Sequence, residues 1–206
     1  MKNLNQLLNG YQLVFQKNFE INNPLYEELA KGQSPKVMMI SCSDSRVDPS
    51  LITHAEPGQI FAVRNVANLV PPLEMANRMD HSTPAALEYA VCTLEVRHII
   101  LMGHSQCGGI RALLQGVNEA DDFNFIGDWL SIADAAKEKV LKQFANEPID
   151  EQANVCEHEA MHLSLNNLMT YPWIAEAVHK GTLFLHAWHF DIASGRLEES
   201  DIDWAE

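Results

Sequence analysis

From Pro35 onward, short apolar runs alternate with segments of helical length, a pattern that few folds accept. The runs are Val37–Ser41, Ile60–Val63, Ile99–Gly103 and Thr182–Phe190. Helical periodicity covers approximately Pro49–His54, Pro84–Leu94, Gly109–Gln115, Gly127–Phe144, Glu151–Thr170 and Pro172–Lys180. A strand that is apolar on both faces has to be covered on both, which points to a parallel sheet flanked by helices. The expected fold is α/β, a mostly parallel sheet of four strands flanked by helices. A C-terminal antiparallel edge strand is expected beyond the Ser194-Gly195 turn.

The first 34 residues read differently. Leu4, Leu7, Leu8, Tyr11, Val14 and Phe15 recur at helical spacing, and Asn22-Asn23-Pro24 interrupts the run with a proline suited to open a second helix. Such an arm buries little by itself and is expected to pack on a neighbouring subunit or on its own core. The chain carries no internal repeat and no Gly/Ser linker. One domain is expected over residues 1–206, made of a helical arm (1–34) and an α/β core (35–206).

The formal charge of −14 argues against nucleic acid and anionic membrane surfaces as partners, and it favours a neutral substrate over an anionic one. No apolar run approaches the roughly 20 residues of a membrane span, and the N-terminus lacks the basic start and apolar block of a secretory signal. Four cysteines are too few for a disulfide scaffold. A reducing cytoplasm, with thiolates free to hold a metal, is the expected setting.

Two runs carry the chemistry: Ser41-Cys42-Ser43-Asp44-Ser45-Arg46 and Gly103-His104-Ser105-Gln106-Cys107-Gly108-Gly109. Each follows an expected strand, and ligand sites in open α/β sheets form where strands end and lead into helices. Taken singly, Cys42 and Cys107 would be small buried hydrophobes and His104 a satisfied polar residue. Two thiolates and an imidazole at two strand ends instead make a donor set for zinc, with a fourth position open to water. Two cysteinates neutralise the dication, so its water is less acidified than at a site of three neutral imidazoles. Asp44 stands two residues from Cys42, where it can help orient and deprotonate that water. Arg46 can hold the Asp44 carboxylate bidentately, fixing its direction and lowering its pKa. An ordinary loop salt bridge is the alternative for this pair.

Cys-Ser-Asp-Ser-Arg followed by Gly-His-x-x-Cys-Gly-Gly resembles the β-class carbonic anhydrases. Gln33-Ser34-Pro35, the stretch Phe61 to Asn68, Ala86-Leu87-Glu88-Tyr89-Ala90 and Asn167 to Pro172 resemble family segments in the same order, so the likeness covers roughly Glu27 to Phe190. The resemblance implies reversible hydration of CO2 to bicarbonate and a proton by a zinc-held hydroxide. One Zn2+ per subunit would sit on Cys42, His104 and Cys107, with Asp44 and Arg46 as the dyad at the fourth position. Gln33, Phe61, Val66 and Tyr89 match the lining of the CO2 pocket in the plant-like branch. A homodimer or homotetramer is implied as well.

A second branch of the family builds an inhibitory bicarbonate site from a Trp, an Arg and a Tyr. Here Met39 and Phe190 stand at the Trp and Tyr positions while Arg64 remains, so an open site without cooperative bicarbonate inhibition is expected. Asp80-His81-Ser82-Thr83-Pro84 departs from a commonly glycine-rich stretch and bears on access through the loop Pro71–Pro84. A CS2 or COS hydrolase on the same fold, or a zinc-stabilised interaction protein, are the competing functions. Cys156, His158 and His162 raise a second metal site against an ordinary helix face. His186 and His189, at odd separation on a strand, are expected on opposite faces.

Overall fold

The computed structural model describes residues 2–19, 23–76, 81–116 and 124–200. It divides into two compact units, Met1–Ser34 and Pro35–Glu206. The smaller holds α1 (Lys2–Asn18) and α2 (Pro24–Leu29). Asn23 caps α2 through its side-chain oxygen, which accepts the Leu25 N–H at 3.0 Å, and Pro24 follows where no intrahelical donor is required. Tyr11, Phe15 and Phe19 recur every fourth residue of α1 and its end, and Phe19 meets Tyr26 with ring centroids 4.5 Å apart. Leu4, Leu7, Leu8, Leu13 and Val14 remain exposed.

The larger unit is built on a five-stranded sheet of order β2-β1-β3-β4-β5, with β1 Val37–Cys42, β2 Ile60–Asn65, β3 His98–His104, β4 Phe184–Phe190 and β5 Leu197–Ser200. The first four are parallel and β5 pairs antiparallel with β4. Alternation along the strands divides the core. Met38, Ile40, Ile99, Leu101, Leu185 and Ala187 pack on one side with helix residues Leu87, Leu165, Leu168 and Ile174. Met39, Ile100 and Met102 form a smaller cluster with Ile52, Ile60 and Trp188. Fully burying each such side chain contributes about 1.5–3 kcal/mol. Hydrophobic burial on both faces is what makes these strands central.

The helices of this unit are α3 (Pro49–Thr53), α4 (Leu73–Ala76), α5 (Ser82–Glu88), α6 (Gly108–Gln115), α7 (Phe125–Leu130), α8 (Asp134–Phe144), α9 (Ile149–Leu168) and α10 (Pro172–His179). Three differ from the periodicity in an instructive way. α5 starts two residues before Pro84, because a proline in the first turn removes only an N–H that has no intrahelical acceptor. It then widens into one π turn at Tyr89–Thr93, closed by the Leu94 N–H on the Tyr89 carbonyl. The single helix expected over Gly127–Phe144 is two, α7 and α8, separated by a 3-10 turn at Ser131–Ala133. There the Ser131 hydroxyl donates back to the Asp128 carbonyl at 2.7 Å, and Ala133 leaves helical geometry. Asp80, part of the Pro71–Pro84 loop, and the arm's Asn22 lie outside the described residues.

α9 is the helix that locks the sheet to the loops. A Cβ added at Gly103 would come within 2.5 Å of Met161 Sδ, so α9 lies directly against β3 one residue before His104. Its polar C-terminal end, with Tyr171 just before α10, holds the segment beyond β2. Ser164 Oγ accepts the Val70 N–H at 3.2 Å, Asn167 Nδ2 donates to the Val70 carbonyl at 2.8 Å, and the Tyr171 hydroxyl donates to the Pro71 carbonyl at 2.8 Å. Tyr171 is fully buried, and burial pushes its phenol up to about 12. No helix among the described residues is long and apolar enough to cross a membrane.

Tyr171→Phe keeps the ring and leaves the Pro71 carbonyl without its donor. Urea unfolding of this variant is expected to show a loss of about 1–3 kcal/mol with an unchanged m-value; a loss below half a kcal/mol would mean the hydroxyl is not needed.

Candidate metal centre

Parallel pairing of β1 with β3 sets Ser41 beside Met102, so Cys42 and His104, the last residues of their strands, emerge at the same end of the sheet. The chain turns through Gln106 at φ +57° and delivers Cys107 as the residue preceding α6. The Cys42, His104 and Cys107 donor atoms all lie within 4.8 Å of one another, and the three residues are 5%, 1% and 2% exposed. The two sulfurs are 4.0 Å apart. Two thiolates at zinc–sulfur distance around a tetrahedral ion would stand about 3.8 Å apart, so the pair needs almost no adjustment.

His104 supplies the sharper test of fit. Its Nδ1 donates to the Ser105 carbonyl at 2.9 Å, which assigns the proton to Nδ1. Nε2 is then a bare lone pair, buried and without a hydrogen-bond partner in the protein. Burying an acceptor unmatched costs about 1–3 kcal/mol, a cost that a cation among the donors removes. Two sulfurs and an imidazole nitrogen form the set expected for zinc.

The sulfurs are also prepared electrostatically. Hydrogen bonding to Cys107 lowers the Cys42 thiol against the opposing effect of burial, with help from the N–H groups of Asp44 and Ala67. The same Cys42 contact, together with burial, raises Cys107, although the Gly109 and Ile110 N–H groups at the start of α6 favour its thiolate. With the sulfurs 4.0 Å apart, negative charge on one opposes negative charge on the other, and a cation among the donors removes that opposition.

Ala67, whose N–H favours the Cys42 thiolate, has a left-handed backbone at φ +63°. For a residue with a Cβ that conformation costs about 1–3 kcal/mol, so neighbours have to enforce it. Asn65 brackets the turn, its Nδ2 donating to the Leu69 carbonyl and its Oδ1 accepting the Leu69 N–H, each at 2.9 Å. Trp129 donates its indole N–H to the Val66 carbonyl at 2.7 Å. Gly109 closes the other side: a Cβ there would lie 2.8 Å from Val66 Cγ1 and 3.0 Å from Ala67 Cβ.

Asp44 lies at the rim of the centre. Arg46 grips both its oxygens, Nε to Oδ1 at 2.9 Å and Nη2 to Oδ2 at 2.7 Å, while the Arg46 N–H adds a third donor. These bonds hold the Asp44 carboxyl well below the usual carboxylate range, so it is ionised at neutral pH. Arg46 also donates to the Gln106 carbonyl at 3.1 Å, tying the first motif to the second. Arg64 secures the same loop from below, donating to the carbonyls of Cys42 and Asp44 and pairing with Asp48.

Of the expected pocket residues, Phe61 and Tyr89 meet with ring centroids 5.8 Å apart. Val66 stands at the Gly109 contact, and Val66 and Tyr89 are partly open to solvent at 36% and 45%. Gln33 belongs to the N-terminal unit, where it is exposed. Cys156, His158 and His162 form no metal group: among the described residues, Cys42, His104 and Cys107 are the one set of His, Cys and acidic side chains close enough to share an ion. Burial pushes the Cys156 thiol up to about 12, so it stays protonated. His186 bonds His98 and Glu199, whereas His189 turns inward to Glu157. Sequence reasoning missed the left-handed Ala67, the clamps from Asn65, Trp129 and Arg64, and Glu157. A glycine two residues past Cys107 was the only available signal that a neighbour comes close.

Gly109→Ala is expected to lower stability by about 1–3 kcal/mol and to weaken metal binding, because Val66 and Ala67 have to give way to the added Cβ beside the centre. Zinc content after dialysis measures it, with Cys107→Ala as the variant that retains none. Full zinc occupancy in Cys107→Ala would remove Cys107 from the donor set.

Three comparisons place this arrangement among known proteins. The profile of the family described as carbonic anhydrase matches residues 37–197. Beta carbonic anhydrase 5, chloroplastic, of Arabidopsis thaliana is 42% identical over 180 residues, which are 87% of this chain; the chain spans only 59% of that relative's length. The structure of the β-carbonic anhydrase CcaA superposes with a TM-score of 0.91 at 35% identity, covering 98% of this chain and 89% of that one. A tetrameric β-carbonic anhydrase from Sordaria macrospora does so with a TM-score of 0.84 at 30% identity, covering 97% of each.

Proposed function

This chain belongs to the carbonic anhydrase family, in its β class, and from that premise we propose that it catalyses the reversible hydration of CO2 to bicarbonate and a proton. The observation that carries the reading is the buried Cys42, His104 and Cys107 donor group with an ionised, Arg46-clamped Asp44 at its rim. Zn2+ is the cofactor that family and donor set imply, held by the two sulfurs and His104 Nε2. When bound, it supplies Lewis acidity that makes water a nucleophile near neutral pH.

The chain's own residues do the rest. An ionised Asp44 can only accept hydrogen bonds, so an oxygen beside it must turn a proton toward it and a lone pair away, toward substrate. Arg46 keeps that direction constant through two bonds rather than one. Phe61, Val66 and Tyr89 provide apolar surface for an uncharged gas, and Gln33 is proposed, on the family resemblance, to donate its amide to a substrate oxygen. The acidic net charge disfavours retention of the bicarbonate product.

Two features support an open site without cooperative bicarbonate inhibition. Arg64 already spends its guanidinium on Cys42, Asp44 and Asp48, and Met39 is buried in the cluster with Ile100 and Met102. We infer a homodimer or homotetramer, which the exposed apolar residues of α1 support. A reducing compartment, for which we propose the cytoplasm, accords with four free thiols.

Stopped-flow CO2 hydration on zinc-loaded protein tests the reading. Activity is expected to disappear on chelation and return with Zn2+, and Asp44→Asn is expected to lose about 100-fold in kcat while retaining its metal. Hydration absent between neutral and mildly alkaline pH would reject the proposal, and CS2 turnover in its place would assign the sulfur substrate instead. Bicarbonate should inhibit hyperbolically; a sigmoidal curve would reject the open-site inference.

A further inference from the structure

Glu157 lies within α9 and is 4% exposed, a carboxylate in the interior of the molecule. Burying such a group is costly unless its oxygens are matched. Both are. Oε1 accepts the backbone N–H of Cys107 at 2.9 Å, and Oε2 accepts from Nε2 of His189 at 3.2 Å. His189 is itself 5% exposed and its ring lies against that of His158, with centroids 4.3 Å apart.

The bond to Cys107 falls on the peptide group whose other polar atom, the Gln106 carbonyl, accepts from Arg46 at 3.1 Å. Cys107 precedes the first turn of α6, so its N–H lies outside the helical ladder, and its side chain makes no capping bond. Its carbonyl accepts the Arg111 N–H at 3.0 Å, which anchors the residue on the helix side. Glu157 anchors it on the other side. With both backbone polar groups engaged, the Cα–Cβ bond is held in one direction, and a single rotation about it places Sγ 4.0 Å from the Cys42 sulfur. The Glu157 side chain is carried on α9, which packs against β3 at Gly103, one residue before His104.

We propose that Glu157, steadied by His189, is the positioning residue for Cys107, holding the backbone of this ligand so that its thiolate meets the metal in one geometry. The proposal rests on Cys107 being a ligand, as in the preceding reading. It adds a hydrogen bond to the ligand's own backbone rather than to the metal or the substrate.

Metal binding tests it without recourse to turnover. Zn2+ affinity is measured on the full chain by competition with a chromophoric chelator, and the thiolate-to-metal charge-transfer band is recorded with Co2+. Glu157→Ala should bind Zn2+ about 10-fold or more weakly, with a displaced or broadened Co2+ band. Glu157→Gln keeps an acceptor oxygen for the Cys107 N–H and should rescue both readouts to within about threefold, while His189→Phe should fall between the two. If Glu157→Ala does not fold, Glu157→Asp replaces it, since a side chain one methylene shorter cannot reach Cys107 and His189 together. Wild-type affinity and an unshifted band in either shortened variant would overturn the proposal, as would a Glu157→Gln protein as weak as Glu157→Ala. Failure of the unaltered chain to bind Zn2+ would instead overturn the reading of the centre itself.

Discussion

Because β1 and β3 run parallel and pair from Val37–His98 to Ser41–Met102, both strands end at one side of the sheet, and everything in the centre follows from that edge. Antiparallel pairing would have put Cys42 and His104 at opposite ends. Parallel strands are stable only when covered on both faces, so the apolar clusters that bury Met38, Ile40, Ile99 and Leu101 also bring the ligands together. Burial of the core and assembly of the site are one event in this fold.

The pairing brings the strand ends close, and polar contacts set the final geometry. Arg64 and Arg46 act as staples on the loop after β1, one from the neighbouring strand and one across to the Gln106 turn. Left-handed Ala67 stores strain, and it is held by Asn65, by Trp129 and by the missing side chain at Gly109. The return is an N–H that favours the Cys42 thiolate. Glu157 does the corresponding work for Cys107. Each sulfur is thus fixed through the backbone around it, which suits a ligand whose own side chain has a single rotatable bond before the donor atom.

Much of this was legible in the residues alone. Continuous apolar runs gave away central parallel strands, and Cys42, His104 and Cys107 announced themselves by type and by their place after those runs. The Asp44–Arg46 clamp was readable because the two are close in sequence, so its geometry depends little on the rest of the fold. The break between α7 and α8 was not, since hydrophobic spacing continues through it and only the Ser131 hydroxyl and the backbone at Ala133 reveal it. The π turn at Tyr89–Thr93 was hidden for the same reason: a helix widened by one residue keeps its apolar face.

What the sequence by itself determined is the local chemistry: strand and helix periods, the donor types, the acid–base pair two residues apart and the acidic charge. Only the tertiary structure decided which groups far apart in the chain touch. Glu157 stands 50 residues from the Cys107 backbone it holds, and Trp129 stands 63 residues from the Val66 carbonyl it clamps. The reason is physical. A period or a short motif records interactions within one element, whereas a buried carboxylate or indole finds its partner only when separate elements close on one another.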